Sequence, residues 1–514
     1  MWSQLAIADV LEPKDPPEGY QPSIHRRKIT GPIQVQLLSF AVGVTFIVAN
    51  GTVMISCASQ DSLTEVAADV PDPWGLPAPP PKGVYNGPLF ELSHDYPAHA
   101  TPPDPAPWRA AIGNGRITTG NADAYVQALK DNIAADMRVL LFDYANWNAG
   151  ARGWYNQPWL SSTPLSNGTY TREPIHGTYV GSAGVPAGMF PKSGLKTSMD
   201  THVLVYYDAV AAASLSRVWG TSGNDPVPGL QAGGAQFPEG AIIVKPAFTT
   251  AGGNDWPPIA GAFPWTIWVA EGEGTTGPPS LTTVYLFQLD IIVKDTKSAP
   301  KTGWVFSTLV YSASTPGDKW DKMIPLGAMW GNDPNVISPE GCDPLVPGSC
   351  PPLSETWINQ LTPVYARETL GWGGRLSGPN DGAVDINARI KTGTGTKPYP
   401  GRYAMSSCLG CHGSAEYQMN SFLLPVPADC SDESCKPTVV DGSLVYYPSG
   451  SAEFMRWFQN RSGADPMDPG TIALDYEMNY SFKTLPAWFE ATGQKGPLHF
   501  VEGFDDYRGH SHPK

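Results

Sequence analysis

The chain is predicted to be an α+β multidomain protein, with an antiparallel β-sandwich or barrel-like body over residues 86–350 followed by a small, mainly α-helical domain over 401–495. Three observations support this. The middle of the chain is a succession of short, alternating apolar runs separated by Gly, Asn, Asp and Pro, the pattern of strands joined by tight turns. No regular alternation of strand with helix accompanies these runs, so a parallel sheet with crossover helices is not expected. Helix-like patterns become frequent only after Cys408-Leu409-Gly410-Cys411-His412. The composition agrees: 54 Gly and 53 Pro in 514 residues speak for many turns, while 17 Trp supply material for a core.

Residues 1–57 read as an export signal. The basic run His25-Arg26-Arg27-Lys28 precedes a mostly apolar, uncharged stretch from Leu37 to Ile55. It ends in Val53-Met54-Ile55-Ser56-Cys57, where a small residue before a cysteine is compatible with lipidation of Cys57. A plainly cleaved signal and an uncleaved anchor are also open, since the apolar stretch is just long enough to span a bilayer. Residues 58–85, with Pro79-Pro80-Pro81, form a linker. An amphipathic helix then follows the cap Asn121, with Tyr125, Leu129, Ile133 and Met137 on one face. Strands are expected at Thr201–Tyr207, Ser214–Trp219, Ala241–Phe248, Trp265–Ala270, Thr283–Val293 and Trp304–Tyr311. The Gly-Asn-Asp triplets between some of them read as turns, because the spaced ligand array of a calcium loop is missing.

Residues 351–400 connect the two parts, with a short helix expected near Glu355–Leu361. Helices are expected from Cys408 to about Asn420, over Ser451–Asn460 and over Leu474–Thr492, with Tyr476, Tyr480 and Trp488 on the last. Residues 496–514 are a tail.

The chemistry is concentrated in C-x-x-C-H. Two thiols on one helical turn can reach the two vinyl groups of a porphyrin, and the following imidazole then lies under the iron. The zinc and dithiol readings are weaker: no second ligand pair is near, and a dithiol leaves His412 unused. The expected cofactor is therefore one covalent haem c on Cys408, Cys411 and His412. The remaining cysteines form two local pairs and a single residue. Cys342 with Cys350, and Cys430 with Cys435, are close enough to bridge, which requires an oxidising compartment, and Cys57 is left over. The formal net charge of −15 makes nucleic acid an unlikely partner.

A sixth ligand would separate electron transfer from ligand chemistry. Met467, in the Pro/Gly-framed loop Ala464–Gly470, fits best and Met478 is the alternative. Outside the motif, Arg172, Glu173 and His176 lie close to aromatic residues and are weak catalytic candidates, with a structural turn as the preferred reading. His202 could reach a haem edge, whereas His94 and His99 have surface or packing roles.

Cys408-Leu409-Gly410-Cys411-His412-Gly413 and the helical region expected around it resemble the bacterial c-type cytochromes. Arg172–Gly177, Thr302–Phe306 and Met329–Pro334 are similar to segments of bacterial proteins that pair a β-rich region with one C-terminal haem motif. The resemblance implies a monohaem cytochrome c domain at the C-terminus of an exported β-rich protein, periplasmic or on the cell surface and tethered to the membrane only through its N-terminus. It implies electron transfer, with the β-rich region docking a redox partner protein or a small-molecule substrate. A haem-dependent peroxidase- or oxygenase-like oxidoreductase, and a binding or surface-assembly module with a structural or sensory haem, are the alternatives.

Overall fold

A long central strand, Ser280–Lys294, organises the molecule. The computed structural model describes residues 79–157, 172–222, 233–269, 278–417, 421–429 and 436–481. All of them belong to one compact unit, Ala67–Lys514. The expected export signal, Cys57 and most of the linker lie outside the described residues, as do Cys430, Cys435, Trp488 and the tail.

Two helices come first, α1 (Pro107–Ala111) and α2 (Ala122–Phe142). Asn121 is the N-cap residue of α2, and Tyr125, Leu129, Ile133 and Met137 are buried along it. The strands β1 (Trp154–Tyr155), β2 (Tyr179–Val185), β3 (Met199–Val203), β4 (Tyr206–Asp208) and β5 (Ile242–Thr249) follow. The helix α3 (Ala209–Trp219) lies between β4 and β5. Then come β6 (Pro264–Val269), β7 (Ser280–Lys294), β8 (Trp304–Tyr311), β9 (Met323–Met329) and β10 (Thr356–Ile358). These ten strands make one sheet in the order β1-β4-β5-β7-β8-β9-β10, with β3 and then β2 continuing beyond the far half of β5 and β6 flanking the first half of β7. Every pairing in it is antiparallel. One face is apolar, with Val244, Ile291, Val293, Val305 and Leu309 all buried. The helical side is tied to the sheet at fully buried Asp295, whose carboxylate accepts bonds from Trp108 Nε1, Arg109 Nε and Tyr125 Oη.

The predicted fold class is corrected on two counts. Among the described residues the body is a single ten-stranded sheet, not a two-sheet sandwich or barrel. Among the described residues there is no helical cytochrome domain: after β10 the helices are only α4 (Val364–Arg367), α5 (Cys408–His412) and a turn starting at Met478. The part after β10 carries small β pairings instead of a helical domain. Arg389–Thr392, Gly395–Pro398, Val439–Val440 and Ser443–Tyr446 form a four-stranded sheet, and Glu416–Tyr417 pairs with Ile472–Ala473.

The physical reasons are local. The α5 helix ends at His412, with Gly413 as its C-cap residue donating to the Leu409 carbonyl, and the chain then turns into the Glu416 strand. A Cβ on Gly413 would meet the Leu409 carbonyl at 2.8 Å. The expected Ser451–Asn460 helix is a 3₁₀ turn, Phe454–Arg456, although Phe454, Trp457 and Phe458 are buried as the apolar spacing requires. The helix expected from Leu474 is interrupted at once, because Asp475 and Tyr476 take positive φ of 51° and 66°. The segment expected as a helix near Glu355 pairs as β10 with the edge of β9, which suits Thr, Trp and Ile. Conversely, Ser214–Trp219 is the end of α3, whose alanine-rich start the strand reading overlooked.

Asp208 shows how such a helix is initiated. Its carboxylate accepts from Ala211 N at 2.7 Å and from Ile242 N at 3.1 Å, capping α3 and tying it to β5. Asp208→Ala is expected to cost about 0.5–2 kcal/mol, towards the upper end because two donors lose their acceptor. The urea midpoint reads this directly, and an unchanged midpoint would mean that the cap contributes nothing.

Candidate functional site

The face of the sheet opposite the apolar one carries a series of rows across β5, β7 and β8. Register places Lys294 beside Trp304, Ile292 beside Ile243 and Phe306, and Asp290 beside Lys245 and Thr308. Alternation along a strand puts these rows on one side, successive rows being two residues, or roughly 7 Å, apart. The Cys408–His412 segment lies over the middle row.

Ser407 starts α5 by accepting a bond from Gly410 N at 3.0 Å, and Cys408 N donates to Leu376 O at 2.9 Å. Gly410 has no room for a side chain: its Cβ would meet Ser407 Oγ at 2.9 Å and the Phe458 ring at 3.3 Å. Fully buried Arg375 braces the adjoining loop by donating to the carbonyls of Asn332, Asp333, Val336 and Trp372. On this support Cys408 and Cys411 are half-buried and one helical turn apart. Burial pushes the Cys408 thiol well above its ordinary range, so it is held as the neutral thiol.

His412 is held on two sides. Its ring packs against Phe306, with centroids 4.8 Å apart at 62°, and its Nδ1 lies 2.7 Å from the Tyr476 carbonyl. A carbonyl only accepts, so Nδ1 carries the hydrogen and Nε2 keeps its lone pair. Burial lowers this histidine to about 4, which also keeps the ring neutral. A neutral imidazole with Nδ1 fixed by a carbonyl is the form that ligates a metal through Nε2. A small recess beside the ring is walled by Ile243, Ile292, Trp304 and Phe306 from the sheet and by Asp475, Tyr476 and Glu477 from a strap.

The two cysteines and the imidazole suit a covalent haem as a donor set. The enclosed space beside His412 is only water-sized, far below the roughly 300–1,000 Å³ of ordinary ligand sites, and Cys408 and Cys411 are not among its walls. Neither methionine candidate lines this cavity. Met467 is buried, with its backbone N–H donating to the Glu416 carboxylate, and Met478 is buried directly after Glu477.

The third row was missed from sequence. Lys245 Nζ is 2.6 Å from Asp381 and 3.6 Å from Asp290. Gln288 Nε2 donates to both carboxylates at 3.0 Å, and Thr308 Oγ1 donates to Asp290 at 2.8 Å. The signal was available: Lys245 in Ile-Ile-Val-Lys and Asp290 in Gln-Leu-Asp-Ile-Ile-Val are charges inside apolar strands, which demand partners when buried.

The Arg172, Glu173 and His176 group has a structural arrangement. The Glu173 carboxylate accepts from the backbone N–H groups of Ile175, His176, Thr178 and Trp268, bracing a turn and joining it to β6. Arg172 donates to the Gln157 carbonyl and lies over the Phe90 ring. The His176 ring stacks on Trp265 at 4.0 Å with Tyr144 edge-on, and burial lowers it to about 3. The carboxylate thus holds the histidine's backbone, and an imidazole that stays neutral between two aromatic rings serves packing. His202 sits within β3 opposite Phe248, His99 is exposed, and His94 bonds the Ser222 carbonyl.

Cys342 and Cys350 form a disulfide, with Cα atoms 5.0 Å apart. No described helix is long and apolar enough to cross a membrane. No family model, curated protein or solved structure matches the chain.

Proposed function

We propose that the protein is an exported c-type haem protein that transfers electrons, with haem c bound through Cys408 and Cys411 and His412 as the proximal ligand. The observation that carries this reading is the placement of two cysteines on one helical turn with a following imidazole whose Nδ1 is fixed on the Tyr476 carbonyl. When bound, the haem supplies a one-electron couple. The chain tethers it at two points, orients the proximal imidazole through Tyr476 and Phe306, and lays an apolar wall against it. Met467 is the first candidate for the sixth ligand and Met478 the second. The body would dock a redox partner protein or a small-molecule substrate. The Cys342–Cys350 bridge supports an oxidising compartment outside the cytoplasmic membrane, with tethering through the N-terminus.

The test is the absorption spectrum of purified protein, oxidised and reduced, with pyridine and then carbon monoxide. One haemochrome per chain is expected, with sharp low-spin bands that ignore carbon monoxide. Absence of any haemochrome overturns the haem reading. Immediate binding of carbon monoxide would remove the methionine from the scheme and point to oxidase or peroxidase chemistry.

A further inference from the structure

The buried carboxylates of this chain are generally satisfied on both oxygens. Glu173, Asp295, Asp333 and Asp475 each accept a donor at either oxygen. Asp468 differs. It is 6% exposed, and its Oδ1 accepts from Ser421 Oγ at 2.8 Å and from Arg456 Nη2 at 2.7 Å. Its Oδ2 is shut from solvent and meets no donor, the one carboxylate oxygen among the described residues in that condition. A buried charged oxygen without a partner is costly, so a missing partner is the first explanation to test.

A second carboxylate stands beside it. Glu416, 1% exposed, heads the Glu416–Tyr417 strand, and its Oε1 accepts from the backbone N–H groups of Met467 and Asp468, the latter at 2.8 Å. Two buried acids therefore sit side by side. Arg456, with its side chain 44% exposed, reaches only Oδ1 of Asp468. Arg461 lies near both acids but donates to the Arg456 carbonyl. Burial, with the Asp468 charge added, pushes Glu416 up to about 7, the direction of a carboxylate that lacks a full counter-charge. Further oxygens are at hand: Ser421 Oγ, and Thr471 Oγ1, which donates to the Asp468 carbonyl at 2.8 Å.

We propose that Glu416 and Asp468 bind one calcium ion. Asp468 Oδ2 and the Glu416 carboxylate are its charged ligands, and the Ser421 and Thr471 hydroxyls and water fill the remaining positions. The site is independent of the haem reading. Its donors are all hard oxygens, which suit calcium or magnesium better than zinc or copper. Calcium accepts about six to eight oxygens in flexible geometry, whereas magnesium holds on to its waters, which a solvent-shut oxygen such as Oδ2 cannot meet. Two carboxylates are few for calcium, so the affinity belongs with extracellular modules, roughly 10⁻⁴–10⁻³ M. The ion would tie together the Glu416 strand, Ser421 and the loop 464–471.

Isothermal titration of calcium chloride into the full chain, first stripped with EDTA, tests this. One calcium per chain is expected in that affinity range, with no competition from an equal concentration of magnesium. Asp468→Asn keeps an oxygen for Ser421 and Arg456, and Glu416→Gln keeps one for the Met467 and Asp468 N–H groups. Each should weaken binding by roughly tenfold or more, because a charged ligand is lost. Should Asp468→Asn fail to fold, Glu416→Gln decides. Asp318→Asn, in the exposed pair with Arg138, should bind calcium as the parent chain does. Terbium luminescence on the parent chain, quenched by added calcium, gives a second readout of the same site. No calcium binding in the millimolar range overturns the proposal, as does equal affinity in the parent chain and the folded variants. An equal response to magnesium overturns the assignment to calcium.

Discussion

Replacing Cys408 and Cys411 together by alanine is expected to leave the denatured protein without any covalently bound haem, a complete loss in the pyridine haemochrome assay. The fold should persist. Ser407 still caps α5 and Leu409 remains fully buried. The far-ultraviolet circular dichroism should be unchanged, and the urea midpoint should move by roughly the 0.5–3 kcal/mol of an ordinary substitution. Cys411→Ala alone should retain haem through one thioether, with the haemochrome band displaced to longer wavelength by the unreacted vinyl group. His412→Ala should keep the haem attached but lose the low-spin spectrum, and added imidazole should restore it. Together these separate tethering from ligation. Haem retained in full by the double variant would mean that attachment lies elsewhere.

How legible the molecule was from its sequence depended on the range of the information. The motif was legible because its chemistry needs only five consecutive residues. The central strands were legible where β-branched and aromatic runs are continuous, as in Trp304–Tyr311. The α2 helix was legible from its period, since Tyr125, Leu129, Ile133 and Met137 all face the core. Ser451–Asn460 was misread because Phe454, Trp457 and Phe458 keep a helical spacing in a ten-residue segment bounded by Pro448, Gly450 and Gly463, too short to propagate a helix beyond the Phe454–Arg456 turn. Nor could local pattern show that Asp381 lies against Lys245, or that Tyr476 supplies the carbonyl for His412. Those contacts join residues separated by 136 and 64 positions. Single charges in apolar strands pointed to such partners without naming them.

Asp475→Ala should be the most destabilising single substitution in this region. Asp475 is fully buried, and one oxygen accepts from Lys294 Nζ at 2.6 Å and Trp304 Nε1 at 2.8 Å. The other oxygen accepts from Phe237 N at 2.7 Å. These bonds hold the strap in a conformation that it would not adopt unaided, because Asp475 and Tyr476 both have positive φ without being glycine, at roughly 1–3 kcal/mol each. Removing the carboxylate strands Lys294 as a buried charge, so a loss of about 3–5 kcal/mol is expected from urea unfolding. Asp475→Asn should lose less, because it keeps an acceptor for Trp304 or Lys294. A second readout distinguishes a lock on the site from a mere stabiliser. Tyr476 presents the carbonyl that orients His412, so the haem-loaded Asp475→Asn protein should show a shifted potential or axial-ligand spectrum while still folded. If both variants lose under about 1 kcal/mol, well below the cost of breaking a buried pair, the strap is held by Tyr476 Oη on the Arg461 carbonyl and by the Phe237–Tyr480 stack instead.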